Sequence, residues 1–371
     1  FGGAAISMGD HPCQVGQQCP VGGVRINGNY IGTDVSGTQA LGNGAGTGRA
    51  ALRFANFSFG NVVGNELLGE GGPSVPTADV RNVIAGNFGD GISIGAGSAA
   101  ATATSQAVRN NYIGLGADGT TALPNAGRGI TVGPFSNTIG VHENLISSNA
   151  GDGIAVLDGP GGNYNLVGNG IGIGIGGVAR GNLGNGVRVA GSTRDVSIVS
   201  RYTFLLTTVA ASISNNAGAG ILVEGTAQVD FVSGSVGNNG GLEIDLAPVG
   251  VTPNDAGDGD GGPNELLNAP VIDSANFEAG IGTITGTLGA APSSSYELYF
   301  YLNPACDPSG YGGGQTQLMA GLAPVFVVLN TDAAGNASFN RQVSFLPPGQ
   351  FLTAHARRIS TDPEPPVRIV A

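Results

Sequence analysis

The sequence predicts an all-β fold, a right-handed parallel β-helix followed by a small antiparallel β-sandwich, and three observations carry the prediction. An Asn-rich turn, a Gly-x-Gly phrase and a short alternating apolar strand recur, as in Asn87-Phe88-Gly89-Asp90-Gly91-Ile92-Ser93-Ile94. The composition is hostile to helices: 68 of 371 residues are glycine, each costing roughly 1 kcal/mol relative to alanine inside a helix. Near residue 250 this phrase gives way to longer alternating strands, so two kinds of β-structure follow one another.

Further copies stand at Asn125–Val132 and Asn149–Val156, with degenerate ones at Asn182–Val189, Asn216–Val223 and Gly240–Ile244. Counting from Ile92 through Ile130, Ile154, Val187, Ile221 and Leu242, the first apolar strand residues are 38, 24, 33, 34 and 21 residues apart. The shortest spacing reads as one coil of a solenoid, and the longer ones as coils with inserts. Apolar residues two apart, as in Ile92/Ile94 and Ile154/Val156, have the period of a strand with one buried face. Coils stacked about 4.8 Å apart would turn these pairs into aliphatic files.

A second strand per coil is read at Val62-Val63, Val83-Ile84, Leu145-Ile146 and Ile213. The asparagines after these strands suit tight turns, and their amides are placed to bond the same residue type in neighbouring coils. Two inserts match at eight of fourteen positions, Tyr30–Asn43 and Tyr112–Asn125, and a worn third copy spans Asn169–Asn182. Inserts at one point of several coils project from one side, commonly the binding side.

The chain divides at about residue 268, into a β-helix over 1–267 and an Ig-like β-sandwich over 268–371. The sandwich strands are read at Ile281–Leu288, Tyr296–Leu302 and Val325–Leu329, separated by turns such as Asp332–Asn336. Before them runs an acidic, glycine-spaced stretch, where Asp255, Asp258, Asp260, Asn264 and Glu265 are candidate calcium ligands. Calcium takes six to eight hard oxygens, which such a loop can supply; the spacing is not that of an EF-hand, because a glycine stands at 262. A solvated acidic linker explains the same residues.

The phrase Asn29–Asn43 and the Asn82–Ile94 phrase resemble the right-handed parallel β-helix repeats of large secreted bacterial proteins in the pectin-lyase-like superfamily. The segments Cys306–Gly312 and Thr331–Phe339 are similar to the sandwich that follows such repeats. The resemblance implies an extracellular protein and leaves activity open, since the superfamily mixes lyases, hydrolases, epimerases, adhesins and tailspikes.

Charge and cysteine content narrow the partners. A net charge of -12, with fourteen arginines and no lysine, excludes the dense basic surface that nucleic acid requires. No run of 18 or more apolar residues suggests a membrane span, and no organic cofactor motif is present. Cys13 and Cys19 enclose a short loop suited to a local disulfide outside the cell, leaving Cys306 over, and a start at Phe1 reads as a processed end.

Between the two glycines of the phrase stand Asp90, Arg128, Asp152, Asn185 and Ala219 in successive copies. Stacked, they put Arg128 between two carboxylates about 9–10 Å apart, near the upper limit for an inverting glycosidase. A salt-bridged file on tight turns, where Asp is simply a good turn residue, is the simpler reading of the same residues. Arg188 and His142 are further candidates for proton transfer, and Tyr30, Tyr112 and Tyr164 for an aromatic edge, although the absence of tryptophan weakens a sugar-cleaving groove. The resulting expectation is a secreted scaffold binding polysaccharide along its outward file (Ser93, Thr131, Ala155, Arg188, Leu222, Glu243) or along the inserts. The alternative is a glycoside hydrolase or polysaccharide lyase centred on Asp90, Arg128 and Asp152.

Overall fold

The short strands that follow each Gly-x-Gly phrase pair with one another in parallel and in register. The computed structural model describes residues 2–9, 21–55, 57–64, 81–96, 103–157, 162–199, 212–321 and 323–359. In the first sheet, eight strands stack from Ile6–Met8 to Ile244–Leu246. Leu52, Ile92, Ile130, Ile154, Val187, Ile221 and Ile244 make one inward file. Phe54, Ile94, Val132, Val156, Val189, Val223 and Leu246 make the other, so each coil adds two apolar side chains to a continuous core.

The coils carry three strands, where the sequence suggested two. Val62–Gly64 belongs to a second parallel sheet with Arg25–Ile26, Ala103–Arg109, Ser136–His142, Tyr164–Val167, Val196–Val199 and Val229–Phe231. Val83–Ile84, Tyr112–Ile113, Leu145–Ile146 and Ser212–Ser214 lie in a third sheet. Polar residues such as Thr104, Gln106 and Asn137 interrupt the apolar signal of the second sheet, and Ser105 and Thr138 bend it through positive φ (53° and 55°).

Two files of asparagine, buried except at one end of each, run through the turns. One joins Asn29, Asn82, Asn111, Asn144 and Asn169, each Nδ2 donating to the next Oδ1 at 2.9–3.1 Å. The other joins Asn43, Asn87, Asn125, Asn149, Asn182, Asn216 and Asn239 at 2.8–3.0 Å. Asn125 shows the full set: Nδ2 also donates to the Ile84 carbonyl, and Oδ1 also accepts the Asn87 N–H. The left-handed residue of these turns is commonly the one before the file, as at Asn110, Ser148, Asn215 and Asn238. Each file residue is then free to aim its amide inward.

All three inserts are hairpins closed by a single antiparallel bridge: Thr33 with Ala40, Leu115 with Ala122, and Ile173 with Ala179. They occupy alternate coils of the third sheet and lean on one another, Ala117 N–H donating to the Gly37 carbonyl and Ile175 N–H to the Gly119 carbonyl, each at 3.0 Å.

The parallel coils end at Leu246 and antiparallel pairing begins at Val271. Val271–Glu278, Ile281–Gly289 and Asn336–Val343 form one sheet; Ser295–Asn303 pairs with Phe326–Asn330, Phe351–Ile359 and Thr316–Gln317 in another. Ile284, Leu288, Leu298, Phe300, Leu329 and Phe339 pack in the core of this part. Tyr299 and Tyr301 face the other way and extend the solenoid core.

Candidate functional site

Asp90, Arg128 and Asp152 form one vertical file, and their bonds run along it. Asp90 Oδ1 accepts the Arg128 N–H at 2.7 Å, and Oδ2 accepts the Thr131 hydroxyl at 2.7 Å. Asp152 Oδ1 accepts from Asn185 N–H and Nδ2 (2.9 and 3.0 Å), while Oδ2 accepts Arg128 Nε at 3.1 Å. Asn185 Oδ1 then accepts the Ala219 N–H at 2.9 Å. Asp90, Asp152 and Asn185 thus each satisfy a turn N–H of the following coil, and every carboxylate oxygen of the pair is engaged.

The outward file of the first sheet is not an open face. Ala155 is fully buried, and Thr131 and Leu222 are 8% and 6% exposed. Its last member is Asp245, paired with Leu222, instead of Glu243. The register explains the slip: Ile244, and not Leu242, continues the Ile221 file, because Gly220 N–H donates to Leu242 and Ile221 N–H to Glu243. Glu243 therefore stands where Gly220 stands one coil earlier. Arg188 is ion-paired with Glu224 at 2.6 Å. His142 sits in the second sheet, in file with Arg109 and Val167, away from the aspartates.

The three tyrosines do not share an edge. Tyr164 is a core residue of the second sheet, its hydroxyl donating to the Ser136 carbonyl; Tyr112 is buried beneath the insert; Tyr30 alone of the three is open, at 45% exposure. Cys306 is exposed and free, and Cys13 and Cys19 lie outside the described residues.

In the acidic loop, carboxylate oxygens of Asp255, Asp258 and Asp260 lie within 4.8 Å of one another. Burial, with Asp255 and Asp260 adding repulsion, pushes the Asp258 carboxyl up to about 6. Asn264 and Glu265 are engaged elsewhere: Asn264 Oδ1 accepts the Val229 N–H at 2.7 Å, and Glu265 pairs with Arg358 at 2.8 Å. Asn268 ties the loop to the antiparallel sheet by donating to both the Asp255 and Gly289 carbonyls.

An open cleft of about 650 Å³ lies beside the first insert, lined by Gly28, Asn29, Tyr30, Thr33, Asp34, Val35 and Arg81. Arg81 is fixed by stacking 4.1 Å over the Tyr112 ring, by donating to the Tyr112 hydroxyl, and by an Nη2 bond to Asn110 at 3.1 Å. Asp34 accepts N–H bonds from Thr38 and Gln39 within the hairpin, and the Ser36 hydroxyl leads in holding its carboxyl below the usual range. Sequence reasoning named Tyr30 here and missed Arg81, which belongs to no repeated phrase.

No family model and no curated protein matches the chain. Among solved structures it is similar to full-length tailspike protein 2 from Escherichia coli O157:H7 bacteriophage CAB120, with 11% identity and a TM-score of 0.16 over 95% of this chain and 59% of that one. It is also similar to the enzymatically active domain of bacteriophage CBA120 tailspike protein 2, with 10% identity and a TM-score of 0.19 over 94% and 72% of the two chains. The chain thus spans about three fifths of the full-length tailspike. The assignment of a parallel β-helix rests on the strand pairing itself.

Proposed function

We propose that the protein is a secreted β-helix of the pectin-lyase-like kind that binds polysaccharide in the cleft beside the first insert. The observation that carries the reading is the open Tyr30 ring next to the planar polar groups of Asn29, Asp34 and Arg81. A pyranose ring offers a C–H face to an aromatic side chain and hydroxyls to carboxylate, amide and guanidinium groups, and the cleft brings those partners together. The engaged oxygens of Asp90 and Asp152 favour binding over hydrolysis on that file. Calorimetry with neutral and acidic oligosaccharides tests the reading: affinity should fall at least tenfold in Tyr30→Ala and Arg81→Ala. A ligand that binds both variants as it binds the native protein would place the site elsewhere, and new reducing ends or unsaturated products would favour the enzyme.

We propose further that Asp255, Asp258 and Asp260 hold a calcium ion. The set fits in donor chemistry, being three hard anionic oxygens at short mutual range on a glycine-spaced loop. The ion would neutralise their repulsion and, through Asn268, stiffen the connection to the antiparallel sheets.

A further inference from the structure

Where the last coil meets the antiparallel sheets there is a second cavity, of about 130 Å³. A cavity of about 150 Å³ is large enough to hold benzene, so this one suits a single ring or a short branched chain. Phe231, Leu246, Leu267, Tyr301 and Ala354 are among its apolar wall, and Val251 and Tyr311, 37% and 50% exposed, are accessible lining residues.

Two buried polar groups break the apolar lining, Glu243 at 8% exposure and His355 at 6%. Glu243 accepts from Asn239 Nδ2 at 2.7 Å and from the Asn238 backbone N–H; burial, then the neighbouring charge of Asp307, outweighs these bonds and pushes its carboxyl up to about 7. His355 packs among Phe231, Tyr299 and Tyr301 with ring centroids 5.5, 5.4 and 5.1 Å away. Burial first, and the Arg357 charge next, hold it down to about 3, so the imidazole is neutral at pH 7. Its Nε2 is buried without a hydrogen-bond partner among the described residues, which leaves an unused acceptor. The charged group acting on Glu243 is therefore Asp307, and Tyr301, Tyr311 and the neutral His355 share the cavity wall with it, while Arg357, the cation that acts on His355, is committed to Asp230 and Glu297. Among the described residues the cavity lining holds spare acceptors and no cation.

We propose that this cavity binds a small primary amine with a compact apolar body, its ammonium group seated on Glu243 and its body against Phe231, Leu246 and Tyr301. The ammonium group supplies the positive charge that the lining residues lack and donors for the Glu243 carboxylate, and the apolar body fills the remaining volume.

Calorimetric titration of the full chain with benzylamine, and with benzyl alcohol as its neutral counterpart, tests this. The expected result is saturable benzylamine binding at pH 8, at least tenfold tighter than that of the alcohol. Binding should weaken about tenfold at pH 6, as a carboxyl of about 7 takes up its proton, and should be lost in Glu243→Gln. No saturable binding, equal affinity for the two compounds, or unchanged affinity in Glu243→Gln overturns the proposal. Should Glu243→Gln fail to fold, Val251→Arg decides: a guanidinium introduced from this accessible wall position should abolish amine binding with the melting temperature unchanged, and undiminished binding there also overturns it.

Discussion

The side-chain amide of Asn239 donates to the carboxyl of Glu243 at 2.7 Å, so the longer asparagine file ends on a carboxyl. In every earlier coil that amide meets another asparagine. Glu243 occupies the coil position held by Gly153, Gly186 and Gly220, and it fits because no coil follows. A Cβ on Gly153 would lie 2.6 Å from Ile171 Cγ2 and 2.7 Å from the Gly186 carbonyl oxygen. The glycine of the phrase is thus demanded by the next coil, and its loss marks the end of the stack.

Gly153→Ala is accordingly expected to destabilise the protein by about 2 kcal/mol or more, through overpacking against backbone. Glu243→Gly creates no such clash. Urea unfolding midpoints of the two variants should differ in that order, and an unperturbed Gly153→Ala would contradict the stacking.

Asn149 is fully buried, its Nδ2 donating to Asn182 and its Oδ1 accepting from Asn125. Removing it takes one bond from Asn125 Nδ2, which keeps the Ile84 carbonyl, and one from Asn182 Oδ1, which keeps the backbone N–H of residue 149; at roughly 1–2 kcal/mol each, Asn149→Ala should cost about 2–4 kcal/mol. Asn149→Asp should cost more, since it buries a charge and deletes the donor. Asn43, at the start of the file, has one neighbour in it and should be the milder site in the same unfolding assay.

Glu243 and His355 impose opposite pH dependences. The carboxyl is raised from 4.5 to about 7, so its contribution is fully present below pH 4.5 and is lost as pH rises through 7. The imidazole is lowered from 6.5 to about 3, so its contribution is present above 6.5 and is lost as pH falls through 3. Each amounts to about 1.4 kcal/mol per pH unit inside its window, and the two cancel between about 4.5 and 6.5. Asp258, raised from 3.8 to about 6, adds a further fall as pH rises toward 6, so the test is a difference: Glu243→Gln should gain stability relative to the native protein as pH rises from 4.5 to 7, which equilibrium unfolding across pH 4–7 would reveal.

Calcium should raise the melting temperature by a few degrees at neutral pH, and a chelator should reverse the gain. Asp258→Asn keeps the acceptor for the Asn268 N–H but lowers the charge of the cluster, so it should abolish the calcium response with little loss of stability in the chelator. A native protein indifferent to both additions would leave the aspartates as a solvated linker.

The architecture was legible where the chemistry repeats. The Gly-x-Gly phrase and the paired aliphatic residues located the first sheet, and the recurring asparagines announced their files, because steric need and buried hydrogen bonding recur in every coil. The second sheet was hidden because Thr104, Gln106 and Asn137 occupy strand positions without an apolar alternation. The last coil misled by two residues, since Leu242-Glu243-Ile244-Asp245-Leu246 alternates equally well in either placement and only the coil-to-coil bonds choose between them. The place of Arg81 and the meeting of Glu243 and His355 on one cavity wall were beyond sequence reasoning, as they depend on elements far apart in the chain that meet once.

The junction itself rests on Arg357. Its side chain is 4% exposed, with Nε and Nη2 on Asp230 at 2.6 and 3.0 Å and Nη1 on Glu297 at 2.7 Å. Asp230 belongs to the last strand of the second sheet, so one guanidinium ties the solenoid to the antiparallel part. Removing one partner of a buried ionic cluster costs about 3–5 kcal/mol, because the remaining charges stay where they are. Arg357→Met should therefore destabilise strongly, and adding Asp230→Asn and Glu297→Gln should recover part of the loss. The same substitution withdraws a positive charge from beside His355, so the imidazole should titrate at higher pH in Arg357→Met than in the native protein. Histidine ring signals followed by NMR against pH would show that shift, and an unmoved His355 would mean that burial alone keeps the ring neutral.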